Sequence, residues 1–321
     1  DVECAVASLT SNNGTSAQAV THGLSAAPQA VIAISPGQGS GDAGGNAKYG
    51  IGFWDGTNQK SLGVSLNQNG QTTVTSAGRL TSTQLLGNKA NAAGFVWTAS
   101  VSNVGATTFD ITTDVATTNV MHFLSLRSTS GTALGVKVGT FATKTSTGTN
   151  ADIASMSQSP QLVLYALSRT IAVDTNYSSV DNASVLGLGI AAKNTGTGST
   201  QYGTVFGCSV DNSATSGNHA YSQTSNTQAI RIPDASASCA ADIEATINSW
   251  DSGGITNNYS NVEATGRQVL YLAIGAEPPA APTFSSAPTI GTRTTSSIPV
   301  TATTACTDCT FHGVALADGG S

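Results

Sequence analysis

Two stretches of this chain repeat one another: Pro28-Gln-Ala-Val-Ile-Ala-Ile-Ser35 and Pro160-Gln-Leu-Val-Leu-Tyr-Ala-Leu-Ser168. A short unbroken apolar run, opened by proline and rich in Val, Leu and Tyr, suits a strand buried on both faces better than a helix. Each stretch has a later echo, Val120-Met-His-Phe-Leu-Ser-Leu126 for the first and Gln268-Val-Leu-Tyr-Leu-Ala-Ile274 for the second. Between opening and closing runs each copy carries a Gly-alternating strand, Tyr49-Gly-Ile-Gly-Phe-Trp54 or Val185-Leu-Gly-Leu-Gly-Ile190. The offset from Pro28 to Pro160 is 132 residues, far beyond the period of a solenoid. The chain reads as one β-domain written twice. Strands 29–35 and 161–167 are expected in equivalent, central and almost wholly buried positions.

Composition narrows the fold class further. Charged residues make up 9% of the 321, against about 25% in an average soluble domain, and Gly, Ser, Thr, Ala and Asn fill the gap. Thr and Val favour strands, and Gly, Asn and Ser favour turns. The expected class is all-β: two tandem homologous jelly-roll-like β-sandwich domains, the first of about eight strands. One piece reads as helical, Cys239–Asn248, with Ile243 and Ile247 four apart. Twelve Lys and Arg and a net charge of −6 make no basic patch, so nucleic acid is not an expected partner. No apolar run approaches the roughly 18–20 residues that span a bilayer, so neither is a membrane.

The expected domains are 1–127 for the first copy, 128–276 for the second and 277–282 for a linker. The linker, Glu277-Pro-Pro-Ala-Ala-Pro282, carries three prolines and cannot continue a sheet. Residues 283–321 hold three short strand patterns that read as the start of an immunoglobulin-like or fibronectin type III module. Such a module runs to roughly 90–100 residues, so a longer natural chain is expected.

Candidate chemistry is thin. Gly39-Ser-Gly-Asp-Ala-Gly44 matches a dinucleotide-binding pattern, but a strand follows it where a helix N-terminus is required. Cys306 and Cys309 have the spacing of a redox pair or half a zinc site, and read first as a disulfide across a tight turn. Cys208 and Cys239 share one domain and are candidates for a second disulfide; Cys4 has no evident partner. Asp55, Asp181, Asp211 and Asp251 read as turn formers, with a Ca2+ site as their alternative use. No cofactor is otherwise expected. Trp54, Trp250 and Tyr259 are candidates for stacking on a glycan, against core packing as the ordinary role of such rings. The four histidines are scattered, and no nucleophile elbow occurs, so no catalytic residue is expected.

The Pro-Gln-Ala-Val-Ile phrase with its Gly-rich loop, the Gly-Ile-Gly-Phe strand and the closing Val-Leu-Tyr-Leu-Ala-Ile-Gly resemble a group of bacteriophage structural proteins. In that group, duplicated β-sandwiches precede fibronectin-like modules. The segment from Ser286 to Gly319 looks like the start of such a module. The resemblance implies a non-enzymatic virion component, as capsid decoration, fibre or tail-associated protein, exposed on the particle surface. Implied partners are further copies of the chain, other virion proteins and host-surface glycans. A secreted bacterial adhesin or carbohydrate-binding protein is the alternative.

Overall fold

The computed structural model describes residues 2–36, 47–66, 77–89, 95–116, 118–130, 132–178, 183–194, 197–210, 219–233, 240–275, 289–290 and 300–301. Among them there is no helix, and every strand ladder is antiparallel. The first half runs through β1 (Val2–Thr10), β2 (Gln18–Thr21), β3 (Ala30–Ser35), β4 (Ala47–Trp54), β5 (Gln59–Leu66), β6 (Ala77–Thr81), β7 (Leu86–Lys89), β8 (Phe95–Ser102), β9 (Thr108–Thr113) and β10 (Val120–Ser128). The second half opens with β11 (Gly135–Ala142), β12 (Gly148–Ile153) and β13 (Pro160–Leu167), then the two-residue β14 (Tyr177–Ser178). It continues with β15 (Ala183–Lys193), β16 (Thr200–Val210), β17 (His219–Ser225), β18 (Ile230–Pro233), β19 (Ala241–Asp251), β20 (Gly254–Asn261) and β21 (Gln268–Gly275).

The two halves share one topology. In the first, β1-β10-β3-β4-β5-β6 make one sheet and β2-β9-β8-β7 the other. In the second, the orders are β11-β21-β13-β15-β16-β17 and β12-β20-β19-β18, a match at every position once β14 is set aside. The repeated strands β3 and β13 thus hold the same place, between the closing strand and the Gly-alternating strand. Among the described residues each half has ten strands, where about eight were expected in the first; short β2 and β7, with their counterparts β12 and β18, complete the smaller sheet.

Among the described residues three cores lie between four layers. One fills the first half between its two sheets, around Val31, Trp54, Trp97, Phe109 and Phe123. Another fills the second half, around Val163, Tyr165, Ile243, Tyr259 and Tyr271. The third lies between the large sheets of the two halves, where Ile51, Phe53 and Leu62 meet Leu270, Leu272 and Ile274. This is why β13 carries no alternation: Val163, Tyr165 and Leu167 face the core of their own half, and Leu162, Leu164 and Ala166 face the other half. Each such side chain removed from water contributes about 1.5–3 kcal/mol, so the halves are joined by a true core. Residues 1–276 accordingly form one compact unit.

Two expectations are corrected. Residues 241–251 are a strand, not a helix, because Ile243, Ala245 and Ile247 are buried with period two while Glu244 and Thr246 are less so. A four-residue Ile spacing is also twice the strand repeat, and the residue between decides. Nor are the repeated strands wholly buried: Ile34 is 49% exposed, and Leu162 and Leu164 are half-buried. Residues 277–321 form the second unit. Its described part is the antiparallel pair β22 (Thr289–Ile290) and β23 (Val300–Thr301).

Candidate interaction surface

The two large sheets meet closely along one side and part along the other. On the closed side, residues 168–178 leave the second half and clasp the edge of the first. The Asp174 amide donates to Leu80 O at 2.8 Å, and the Asp174 carboxylate accepts from the Ser82 amide at 3.0 Å and from Ser82 Oγ at 2.5 Å. These bonds hold the Asp174 carboxyl below the usual range even though burial pushes it up. β14 then pairs with β6, Tyr177 opposite Gly78, and extends the first half's sheet by one strand.

The root of this clasp is an ion cluster that sequence reading passed over. Arg169 donates to Glu263 at 3.0 Å, lies 3.8 Å from Asp242, and also reaches Pro233 O. Arg267 forks onto both Glu263 oxygens, donates to Arg169 O at 3.1 Å and lies over the Tyr177 ring at 5.8 Å. Burial pushes the Glu263 carboxyl up, but the Arg267 hydrogen bonds and the two guanidinium charges outweigh it and leave the pKa lowered. The available signal was scarcity. In a chain this poor in charge, arginines beside an acid on neighbouring turns are candidates for a buried pair.

On the open side lies a groove of about 630 Å³. Its walls are Ile32, Ile34 and Leu124 from the first half and Leu188, Ile190 and Val205 from the second, with Phe53 and Leu164 deeper in. None of the described residues lining it is charged. Ile34, Leu188, Ile190 and Val205 are exposed large hydrophobic residues. Strand registers carry the apolar surface outward: Val6 stands opposite Leu124, and Leu124 opposite Ile32. Val6 is 75% exposed. Contiguous apolar surface of this kind marks a contact site on a soluble protein.

The residues singled out in the sequence lie elsewhere. Trp54 and Tyr259, 7% and 1% exposed, are buried in the two sandwich cores. Tyr259 also donates to Asp152 at 2.6 Å, and Asn257 donates to the same carboxylate oxygen at 2.7 Å. Burial, only partly offset by these bonds, raises the Asp152 pKa. Trp250 is half-buried on β19 and donates from its indole nitrogen to Thr200 Oγ1 at 2.9 Å. Cys208 is buried and disulfide-bonded, while Cys4 is a free, exposed thiol. Cys239, Cys306, Cys309 and the Gly39–Gly44 motif lie outside the described residues.

Asp55 is a turn former: Oδ1 accepts from the amides of Thr57 and Asn58 at 3.0 and 2.7 Å. Its Oδ2 reaches across to the Val138 amide at 2.8 Å, a bond between the halves. Asp251 likewise takes Ser249 Oγ and Thr256 Oγ1, both at 2.8 Å. Asp181 and Asp211 lie outside the described residues. Among the described residues no three His, Cys, Asp or Glu side chains gather into a metal site. His22 is buried and satisfied, its Nδ1 accepting from the Leu24 amide at 3.1 Å and its Nε2 lying 3.2 Å from Gly105 O. No protein-family model matches this chain, and no curated protein is significantly similar to it in sequence.

Proposed function

We propose that this chain is a non-enzymatic structural protein displayed on a bacteriophage particle, as capsid decoration or as a fibre- or tail-associated component. In this reading the duplicated sandwiches assemble with copies of the chain and other virion proteins, and the modules opening after Glu277 serve surface attachment. The observation that carries the reading is the four-layer body itself. One sandwich is repeated, the copies are fused through an apolar core, and part of the same apolar faces is left open. Binding energy in such a body resides in sheet faces, as assembly requires. The disulfide at Cys208 supports a working place outside the reducing cytoplasm, on a virion surface or otherwise extracellular. Cryo-microscopy of intact particles tests the proposal: the chain is expected at a repeating, particle-bound position, and its absence from any such position would sink it.

A second reading, a secreted adhesin or carbohydrate-binding protein that engages host-surface glycans, rests on Trp250, which is half-buried where Trp54 and Tyr259 are buried. Saturable binding on a glycan array, lost in Trp250→Ala, would favour it over the first.

A further inference from the structure

We propose that the open groove is the contact surface for a second copy of this chain, and that the contact repeats between chains the face-to-face packing already present within one. The inference rests on the reading of the chain as an assembling protein and names the surface it uses.

Within the chain, the outer face of the first half's large sheet packs on the outer face of the second half's. Only part of each face is used. Around β4, β5 and β6 the first sheet is covered by β21, β11 and β15, and Leu62, Val64 and Leu80 are fully buried there. Around β1, β10 and β3 the same face carries Val6, Leu124 and Ile34, which are exposed or half-buried. On the second sheet, the uncovered large hydrophobic residues among those described are Leu188, Ile190 and Val205 of β15 and β16. The two leftovers have the same apolar, uncharged chemistry as the core they continue. They also lie on the two lips of one groove.

A two-fold arrangement satisfies both lips at once. The β1–β10–β3 lip of one chain lies on the β15–β16 lip of its partner, and the reverse contact closes the pair, as an isologous interface demands. The sheet edges point the same way. The edge strand β6 takes β14 from the other half, whereas its counterpart β17 stands last in its sheet among the described residues. Thr224 and Ser225 of β17 lie at the groove, and β17 carries no Lys, Glu or Pro of the kind that deters strand contacts. A small apolar ligand fits the occupant less well. The groove opens onto the exposed Val6 row, so a small ligand would leave that row in water.

Light scattering and sedimentation on the full chain test this with two variants at exposed positions, Val6→Lys and Val205→Asp. The unmodified chain is expected at twice its own mass or more at about 100 μM, a concentration that saturates any micromolar self-affinity. Each variant alone is expected at the mass of one chain, with the melting temperature of the parent measured at a dilution where the parent too is a single chain, since each new charge faces water in the single chain. Mixing the two variants is expected to restore the doubled mass, because the Lys of one lip then meets the Asp of the other. An unmodified chain that is monomeric at this concentration overturns the proposal. So do variants that self-associate like the parent, or a mixture that stays monomeric. A monomeric chain that takes up an apolar dye, and loses it in Val205→Asp, identifies a small-ligand groove and also overturns it. A monomer found at repeating particle positions overturns this inference alone and leaves the proposed function standing.

Discussion

Gly52 and Gly189 occupy the same place in the two halves, and each lies beneath the carbonyl of the residue that leads into a strand of the smaller sheet. A Cβ on Gly52 would collide with Leu85 O and one on Gly189 with Ala229 O, both far inside the 3.0 Å that side chains do not breach. The crossing residues are equivalent too: the Leu85 amide donates to Ala99 O at 2.9 Å and the Ala229 amide to Ala245 O at 3.0 Å. The two sheets of each sandwich close onto one another here, and only hydrogen fits between them.

Gly52→Ala and Gly189→Ala are therefore expected to lower stability by about 3 kcal/mol or more, since backbone cannot yield as a flexible side chain does. Gly207, on β16 in the same sheet as Gly189, has open space where its Cβ would stand. Gly207→Ala is expected within about 1 kcal/mol of the parent, on the stabilising side. Urea midpoints of the three variants check the contrast. Equal effects at Gly189 and Gly207 would remove the close approach as the reason for the alternating glycines.

The repeated strand offers a second contrast. Val163 is fully buried in the second half's core, whereas its neighbour Leu164 lines the groove. Val163→Asp places a lone charge among Tyr165, Ile243 and Tyr271, costs several kcal/mol, and is expected to yield no soluble native protein. Leu164→Asp can turn its carboxylate toward the groove, and a loss of about 1–3 kcal/mol is expected. Expression of both variants with a near-ultraviolet spectrum decides; native Val163→Asp protein would contradict the placement of β13 between two cores.

Much of this architecture was legible in the residues, for physical reasons that also mark where reading stopped. The apolar runs at 30–35 and 160–167 lack alternation because two layers cover them, and Gly50-Ile-Gly52 announces a close crossing. What the runs do not encode is how completely the second layer covers them, so the exposure of Ile34 and Leu188 was invisible. Short β6 and β7 were missed because four or five residues are too few to show a period. The clasp at 168–178 was missed because its force comes from residues far apart in sequence, Ser82 with Asp174 and Arg169 with Glu263. The three rings proposed for glycans were chosen by type alone, and burial in the fold is what separates Trp250 from Trp54 and Tyr259.

Thiol chemistry separates the two described cysteines. Cys4 is free and exposed on β1, and Cys208 is disulfide-bonded and buried on β16. Iodoacetamide is expected to modify Cys4 in the native, unreduced protein and to reach Cys208 only after reduction and unfolding. Peptide mapping without reductant is expected to recover Cys208 joined to Cys239, the pairing proposed from the sequence. Labelling of Cys208 in the native protein would contradict its bonded state.

The Arg169–Glu263–Arg267 cluster sets the expected response to acid. A carboxylate with a lowered folded pKa contributes stability above its unfolded value, near 4.5 for Glu263, and that stability is lost as pH falls through the folded value. Asp152 has the opposite sign. Its pKa is raised, so its contribution is full below 3.8 and fades as pH rises through the folded value, and it cannot cause a loss in acid. Glu263→Gln leaves two nearly buried guanidinium groups without their shared anion, so a loss of about 3 kcal/mol or more is expected at pH 7. The gap between parent and variant is expected to shrink steadily below pH 4.5, where the parent's own carboxylate takes up a proton. Because the cluster roots the clasp onto β6, hydrogen exchange at Gly78 and Leu80 is expected to accelerate in the variant along with the loss of stability. A gap that stayed constant from pH 7 to pH 3, measured by urea unfolding, would show that Glu263 supports the fold by packing and not by charge.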